Sequence, residues 1–225
     1  MSLISMIIYF VILMVIPMWA QHKVKSNYEK YSQVRSTSGK TGREVAEEIL
    51  HSNGIYDVDV VKGEGFLTDH YDPNKKVVCL SPANYDRPSV AGTAIAAHEV
   101  GHAIQHQQGY AFLRFRTALV PLANIGSSLS YIIIMAGIFL TALGSAFGST
   151  ALWIGAGLMS LAVLFSIVTL PVEFNASSRA MKQITALNIV NEKEYKHAKK
   201  VLSAAAMTYV ASTAVALAEL ARIIL

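Results

Sequence analysis

Residues 96–102 read AAHEVGH. Two histidines and a glutamate stand there in a run of alanine and valine that otherwise reads as buried helix. Burying such groups without partners costs a few kcal/mol, on the order of 2 or more each, so the segment needs a use for them. On a helix, His98 and His102 are four residues apart and share a face. Two imidazoles on one face can hold one zinc ion, and Glu99 then reaches a water on that metal without being a ligand. This is the spacing of the H-E-x-x-H helix, in which the metal acidifies water, the glutamate takes the proton and a peptide carbonyl is attacked. Gly101 is expected to leave room beside the metal, at about 1 kcal/mol in helix propensity. The short strand before the helix is expected to be the edge that binds substrate.

Zinc needs a third protein ligand, with a fourth position left for water. His70, His106, Glu173 and His197 are the candidates. His106 shares a face with His102 but lies two turns from His98, and one straight helix cannot wrap three such ligands around one ion. Glu173 is the first charged residue after a stretch, 117–172, that contains no Asp, Glu, Lys, Arg or His. An ionisable group at a membrane exit is a functional candidate.

Further out, the chain has the composition of a membrane protein. Of its 225 residues 53% are hydrophobic and only 15% charged, and the mean hydropathy is +0.40. Leu3–Ala20 is long enough to cross a bilayer and lacks the basic start and small-residue cleavage site of a signal peptide, so a retained anchor is expected. The uncharged stretch suits two spans, near Ser127–Leu143 and Ala151–Leu170, with GSAFGST (144–150) as the turn. Val201–Ala218, rich in alanine, is a fourth. Twelve of the nineteen Lys and Arg lie in 21–116 and six in 179–200. By the positive-inside rule both segments face the cytoplasm. The expected organisation is an anchor (1–20), a cytoplasmic catalytic region (21–116), a transmembrane hairpin (117–172), a helix with the third ligand (173–200) and a C-terminal span (201–225). The fold class is α+β, mostly α-helical and membrane-integral. A net charge of +4 belongs to these cytoplasmic segments, and no nucleic-acid motif accompanies it. The single cysteine, Cys79, excludes an internal disulfide and a multi-cysteine zinc site, and reads as a strand residue.

Within 21–116, TSGKTGREVAEEILHSNGI (37–55) reads as a capped amphipathic helix with Val45, Ala46, Ile49 and Leu50 on one face and Gly54 at its end. YDVDVVKG (56–63) alternates like a strand. LTDHYDPNKKVVCLS (67–81) reads as a turn through Asp72, Pro73 and Asn74, then a strand over Lys76–Leu80. NYDRPSV (84–90) starts the histidine helix, with Pro88 in its first turn and Gly109 as its stop.

LTDHYDP, AAHEVGHAIQHQQGY, LVPLANIGS and TLPVEFNASSRA together resemble the YugP-type neutral zinc metallopeptidases of bacterial membranes, over nearly the whole chain. HEVGH with a later EFxA is similar, more distantly, to the gluzincin membrane proteases of the HtpX and CAAX prenyl protease group. The resemblance implies one zinc per chain, with His98, His102 and Glu173 as ligands and Glu99 as general base. It also implies a compact gluzincin core: a helix, a small sheet with an edge strand, the HEVGH helix and a helix bearing the glutamate. HtpX-like proteases carry Asp four residues after that glutamate, where this chain has Ser177. Its hydroxyl lies on the Glu173 face and could orient an imidazole. Oxyanion stabilisation needs a donor aimed at the attacked oxygen. His70, Tyr71 and Arg179 are candidates, against a turn role for DHYD and a snorkelling role for the arginine.

The leading expectation is a zinc endopeptidase in the plasma membrane, acting on peptide or protein substrates at the cytoplasmic face. A membrane scaffold with a structural zinc is the alternative, disfavoured by three visible ligands instead of four and by an intact Glu99. A zinc transporter is weaker, because the expected spans lack internal acidic or histidine residues.

Overall fold

A computed structural model describes residues 3–224 of the chain. It is α+β and mostly helical, and it divides into two compact units, one of residues 3–19, 114–171 and 209–224, the other of 20–113 and 172–208.

The first unit takes its helices from α1 (Leu3–Phe10), a π-helical turn (Val11–Val15), the start of α2 (Ile16–Ser32), and parts of α6 (Ala111–Ala142), α7 (Phe147–Ala186) and α8 (Glu192–Ile224). Four helical stretches among the described residues, Leu3–Ser32, α6, α7 and α8, are long and apolar enough to cross a membrane. All are longer than the apolar runs that announce them. Hydropathy marks the part suited to hydrocarbon, whereas the helix continues until its backbone groups find other partners. Ile132, Phe139 and Trp153 are each at least 64% exposed, a surface that suits lipid and not water. Small residues let α6 and α7 approach: a Cβ at Gly126 would lie 2.6 Å from the Leu158 carbonyl oxygen. The turn between them is shorter than expected, since α7 already begins at Phe147 and Gly144 alone takes a positive φ of 74°. α8 runs past Ala218 and carries Glu219, which accepts a 2.7 Å bond from the Tyr131 hydroxyl, and Arg222, which donates to the Tyr9 hydroxyl at 3.3 Å.

In the second unit α3 (Gly42–Ser52) opens on a full capping box. Thr41 Oγ1 accepts from Glu44 N at 3.3 Å, and the Glu44 carboxylate accepts from Thr41 N at 2.8 Å. Val45, Ala46, Ile49 and Leu50 are buried on the opposite turns. Thr41→Ala is therefore expected to cost about 1 kcal/mol, read as a lower thermal midpoint in detergent.

Strands β1 (Asp59–Lys62), β2 (His70–Asp72) and β3 (Val77–Leu80) form one sheet in the order β1-β3-β2, with β1 parallel and β2 antiparallel to β3. Two corrections follow. DHYD is not simply a turn. Asp72 Oδ1 accepts from Asn74 N and Lys75 N, which confines the turn to the residues after Asp72 and leaves His70 and Tyr71 to pair with Cys79 and Val78. The strand preceding the histidine helix is not an edge either: β3 is central, and β1 and β2 are the edges. Asp69 ties β2 to the next element, accepting from Ser81 N at 2.8 Å and Asn84 Nδ2 at 3.0 Å.

After α4 (Pro82–Asp86), α5 (Val90–Gln107) carries the HEVGH run. Pro88 stands before its cap and not in its first turn. Ser89 is the cap, its Oγ accepting from Gly92 N at 3.0 Å. Gly109 closes the helix at φ 61°. α5 is the core of this unit: Val90, Ala94, Ala97 and Val100 are buried with Ile49, Leu50, Val78 and Ile184. Buried Glu194 at the start of α8 is satisfied by Thr37 N, Thr37 Oγ1 and Asn191 N.

Candidate metal centre

The helical period puts His98 and His102 side by side on α5, their rings 4.8 Å apart and edge to face. Glu173 comes from α7 and is 2% exposed. Its Oε2 lies 3.2 Å from His98 Nε2 and 3.5 Å from His102 Nε2. One ligand atom from each of the three residues lies within 4.8 Å of the others, and no other such group occurs among the described residues. Of the four third-ligand candidates, then, the fold brings Glu173 to the two histidines. His106 is engaged with Tyr71, His197 stacks on Tyr31, and His70 sits exposed on β2.

The approach of α7 depends on Gly101. A Cβ there would stand 2.6 Å from the backbone oxygen of Ala176. The glycine expected to make room for a metal instead makes room for the helix that delivers Glu173.

The outer nitrogens of both imidazoles are held. Ser177 Oγ lies 3.1 Å from His98 Nδ1. Gln105 Oε1 lies 3.0 Å from His102 Nδ1. Gln105 is fully buried, and its Nε2 donates to the Val172 carbonyl at 2.8 Å and to Asn175 Oδ1 at 3.0 Å. A carbonyl can only accept, so the amide is fixed with Oε1 toward the histidine, and His102 Nδ1 must carry the proton. In the neutral imidazole its Nε2 then presents a lone pair toward the Glu173 carboxylate. Such a pairing repels unless a cation or a proton lies between. The donor set, two imidazole nitrogens and a carboxylate without sulfur, fits zinc. Gln105 and Asn175 were missed from the sequence. A glutamine in an alanine–valine helix poses the same question as the histidines, and that was the available signal.

Arg179 lies further out. Its Nε donates to Asn175 Oδ1 at 2.7 Å and its Nη1 to Gln108 Oε1 at 2.6 Å, so it braces the chain Asn175–Gln105–His102. Glu99 is buried and stands outside the ligand group. Burial pushes its carboxyl up to about 7; the charges of Glu173 and Asp69 add to this, and His98 and His70 oppose it. Adjacent strand residues face opposite ways. His70 Nδ1 lies 2.8 Å from the Thr68 carbonyl oxygen. Tyr71 instead packs against the core, with its hydroxyl 2.8 Å from His106 Nδ1, and burial pushes that hydroxyl up to about 12. Cys79 on β3 has its thiol raised by burial, the opposite of an activated nucleophile.

No solved structure matches the chain. A relative from Bacillus subtilis (strain 168) named "Putative membrane protease YugP" is 46% identical over 207 residues, covering 92% of this chain and 89% of that protein. Residues 6–225 match the family described as "Putative neutral zinc metallopeptidase". With the match running over nearly its whole length, the chain belongs to that family of zinc metallopeptidases.

Proposed function

We propose that this protein is a membrane-embedded zinc endopeptidase, with one zinc per chain on His98, His102 and Glu173 and with Glu99 as general base. The observation that supports the reading is the Nδ1 proton of His102 fixed by Gln105, which leaves Nε2 as the nitrogen turned toward Glu173, 3.5 Å from its carboxylate oxygen. Three protein ligands leave a fourth position for water, the arrangement of catalytic rather than structural sites. Zinc, when bound, supplies a Lewis acid that polarises a carbonyl and makes water acidic near neutral pH.

The chain's own residues do the rest. Glu99 accepts a proton from the attacking water and returns it to the departing amine nitrogen, so that no net proton is consumed. Its dry setting keeps its proton affinity high enough for both transfers. His70, on the face of β2 opposite Tyr71, is the proposed oxyanion-side residue, while Tyr71 is proposed to hold β2 against α5 through His106. An extended substrate would add to a sheet edge, and β2, one of the two edges, carries His70 and is the proposed one. Ser177 and the Gln105–Asn175–Arg179 chain orient the imidazoles. The positive-inside distribution of Lys and Arg supports a site at the cytoplasmic face of the plasma membrane, with peptides and membrane-associated proteins as its substrates.

Gln105→Ala is expected to weaken zinc binding by about 10- to 100-fold, read by competition with a chromogenic chelator, because His102 loses the partner that fixes its tautomer. The reading as a whole is tested on a mixed peptide library digested by the detergent-purified, zinc-loaded protein and analysed by mass spectrometry. Cuts that disappear with chelator and return with zinc are expected. A zinc-loaded protein that cuts nothing, or cuts that ignore the chelator, would contradict it.

A further inference from the structure

We propose that the groove between residues 174–186 of α7 and 195–207 of α8 is a binding site for an anionic glycerophospholipid. The groove has a volume of about 840 Å³, within the range of roughly 300–1,000 Å³ that holds small ligands. Phe174, Met181, Leu202 and Met207 give it an apolar lining, and Phe174 remains 48% exposed. Lys182 and Lys199 also line it, and no lining residue is acidic. Among the described residues neither lysine has an ion-pair partner.

The charge is ordered along the groove. The two helices are joined by the short segment 187–191. On each, the lysine stands toward that connection. Eight residues further from it, roughly 12 Å along a helix, stand Phe174 on α7 and Met207 on α8. Beyond those positions both helices continue into the apolar stretches that are able to cross a membrane. A ligand with an anionic head at the lysines and a hydrocarbon tail toward Phe174 and Met207 matches this order, and basic pockets between membrane helices hold anionic headgroups in this way.

A peptide matches it less well. Both walls are α-helix, whose backbone groups are bonded internally, so an extended chain would find no ladder partner for its own N–H and C=O groups. An acyl chain brings no such groups. Ser177 lines the groove and also holds His98 Nδ1, so a bound lipid would brace one wall of the metal centre. The lipid site itself does not depend on the protein being a peptidase.

The test is native mass spectrometry of the detergent-purified full chain with dioleoyl phosphatidylglycerol or dioleoyl phosphatidylcholine. One phosphatidylglycerol per chain is expected, favoured over phosphatidylcholine by about 30-fold for two interfacial lysines. The double variant Lys182→Gln, Lys199→Gln is expected to lose that preference. Ser203→Trp, which fills the groove and keeps both lysines, is expected to lose the lipid, with helical circular dichroism unchanged in both variants. Equal retention of the two lipids by the wild type would overturn the proposal. So would undiminished phosphatidylglycerol in either folded variant, or its displacement by an apolar peptide at equal concentration.

Discussion

Glu99→Gln is expected to lower peptide turnover by about 10³-fold, within the 10²–10⁴ range of a positioned general base, while zinc content stays at the wild-type level. The substitution keeps shape and hydrogen-bonding length but removes the ability to take a proton. Zinc should remain because the three converging ligand atoms belong to His98, His102 and Glu173, and Glu99 is outside that group. Folding should also tolerate the change. Burial already disfavours the charged carboxylate at this position, so a neutral amide removes a cost instead of adding one. Turnover and metal content are measured on the same preparation. Unchanged turnover would remove Glu99 from the reaction, and loss of zinc would make it a ligand.

Gly101→Ala is expected to cost about 1–3 kcal/mol of stability and at least about 10-fold in zinc affinity. Helix propensity argues the other way, because alanine is favoured over glycine by about 1 kcal/mol in a helix interior. The steric term should win. The atom in the way is the Ala176 backbone oxygen, 2.6 Å from the new Cβ, and backbone cannot rotate aside as a long side chain would. Ala176 lies between Glu173 and Ser177, so a displaced α7 carries both the proposed third ligand and the His98 partner with it. Chelator competition and the thermal midpoint in detergent measure the two effects. A variant that is more stable and binds zinc as well as the wild type would show that the two helices have slack.

Much of this was legible in the sequence, for identifiable reasons. His98 and His102 could be placed on one helical face from their spacing alone, because the α-helical period is fixed. The four long helices announced themselves through uncharged runs. α3 was readable from its apolar period and its glycine stop. What was not legible depended on contacts distant in the chain. Glu173 lies 75 residues from His98, and local reading left it among four candidates until a resemblance singled it out. Gly101 looked like space for a metal because nothing local reveals that a second helix backbone fills that space. The strand order β1-β3-β2 followed from pairings between segments that a local pattern cannot rank, and β2, only three residues long, was masked by the turn beside it. Gln105 carried the same signal as the histidines, a polar group in an apolar helix, but a single amide suggests no reaction by itself.

Two imidazoles and one carboxylate are expected to hold a single zinc and leave a position open. X-ray absorption at the zinc edge, with zinc counted per chain in the same sample, measures this. One zinc per chain with a nitrogen and oxygen shell, two imidazole scatterers and no sulfur is the expected result, lost on Glu173→Ala. Sulfur from Cys79 in the shell, or a closed set of four protein ligands, would contradict it and leave a structural zinc in place of a catalytic one.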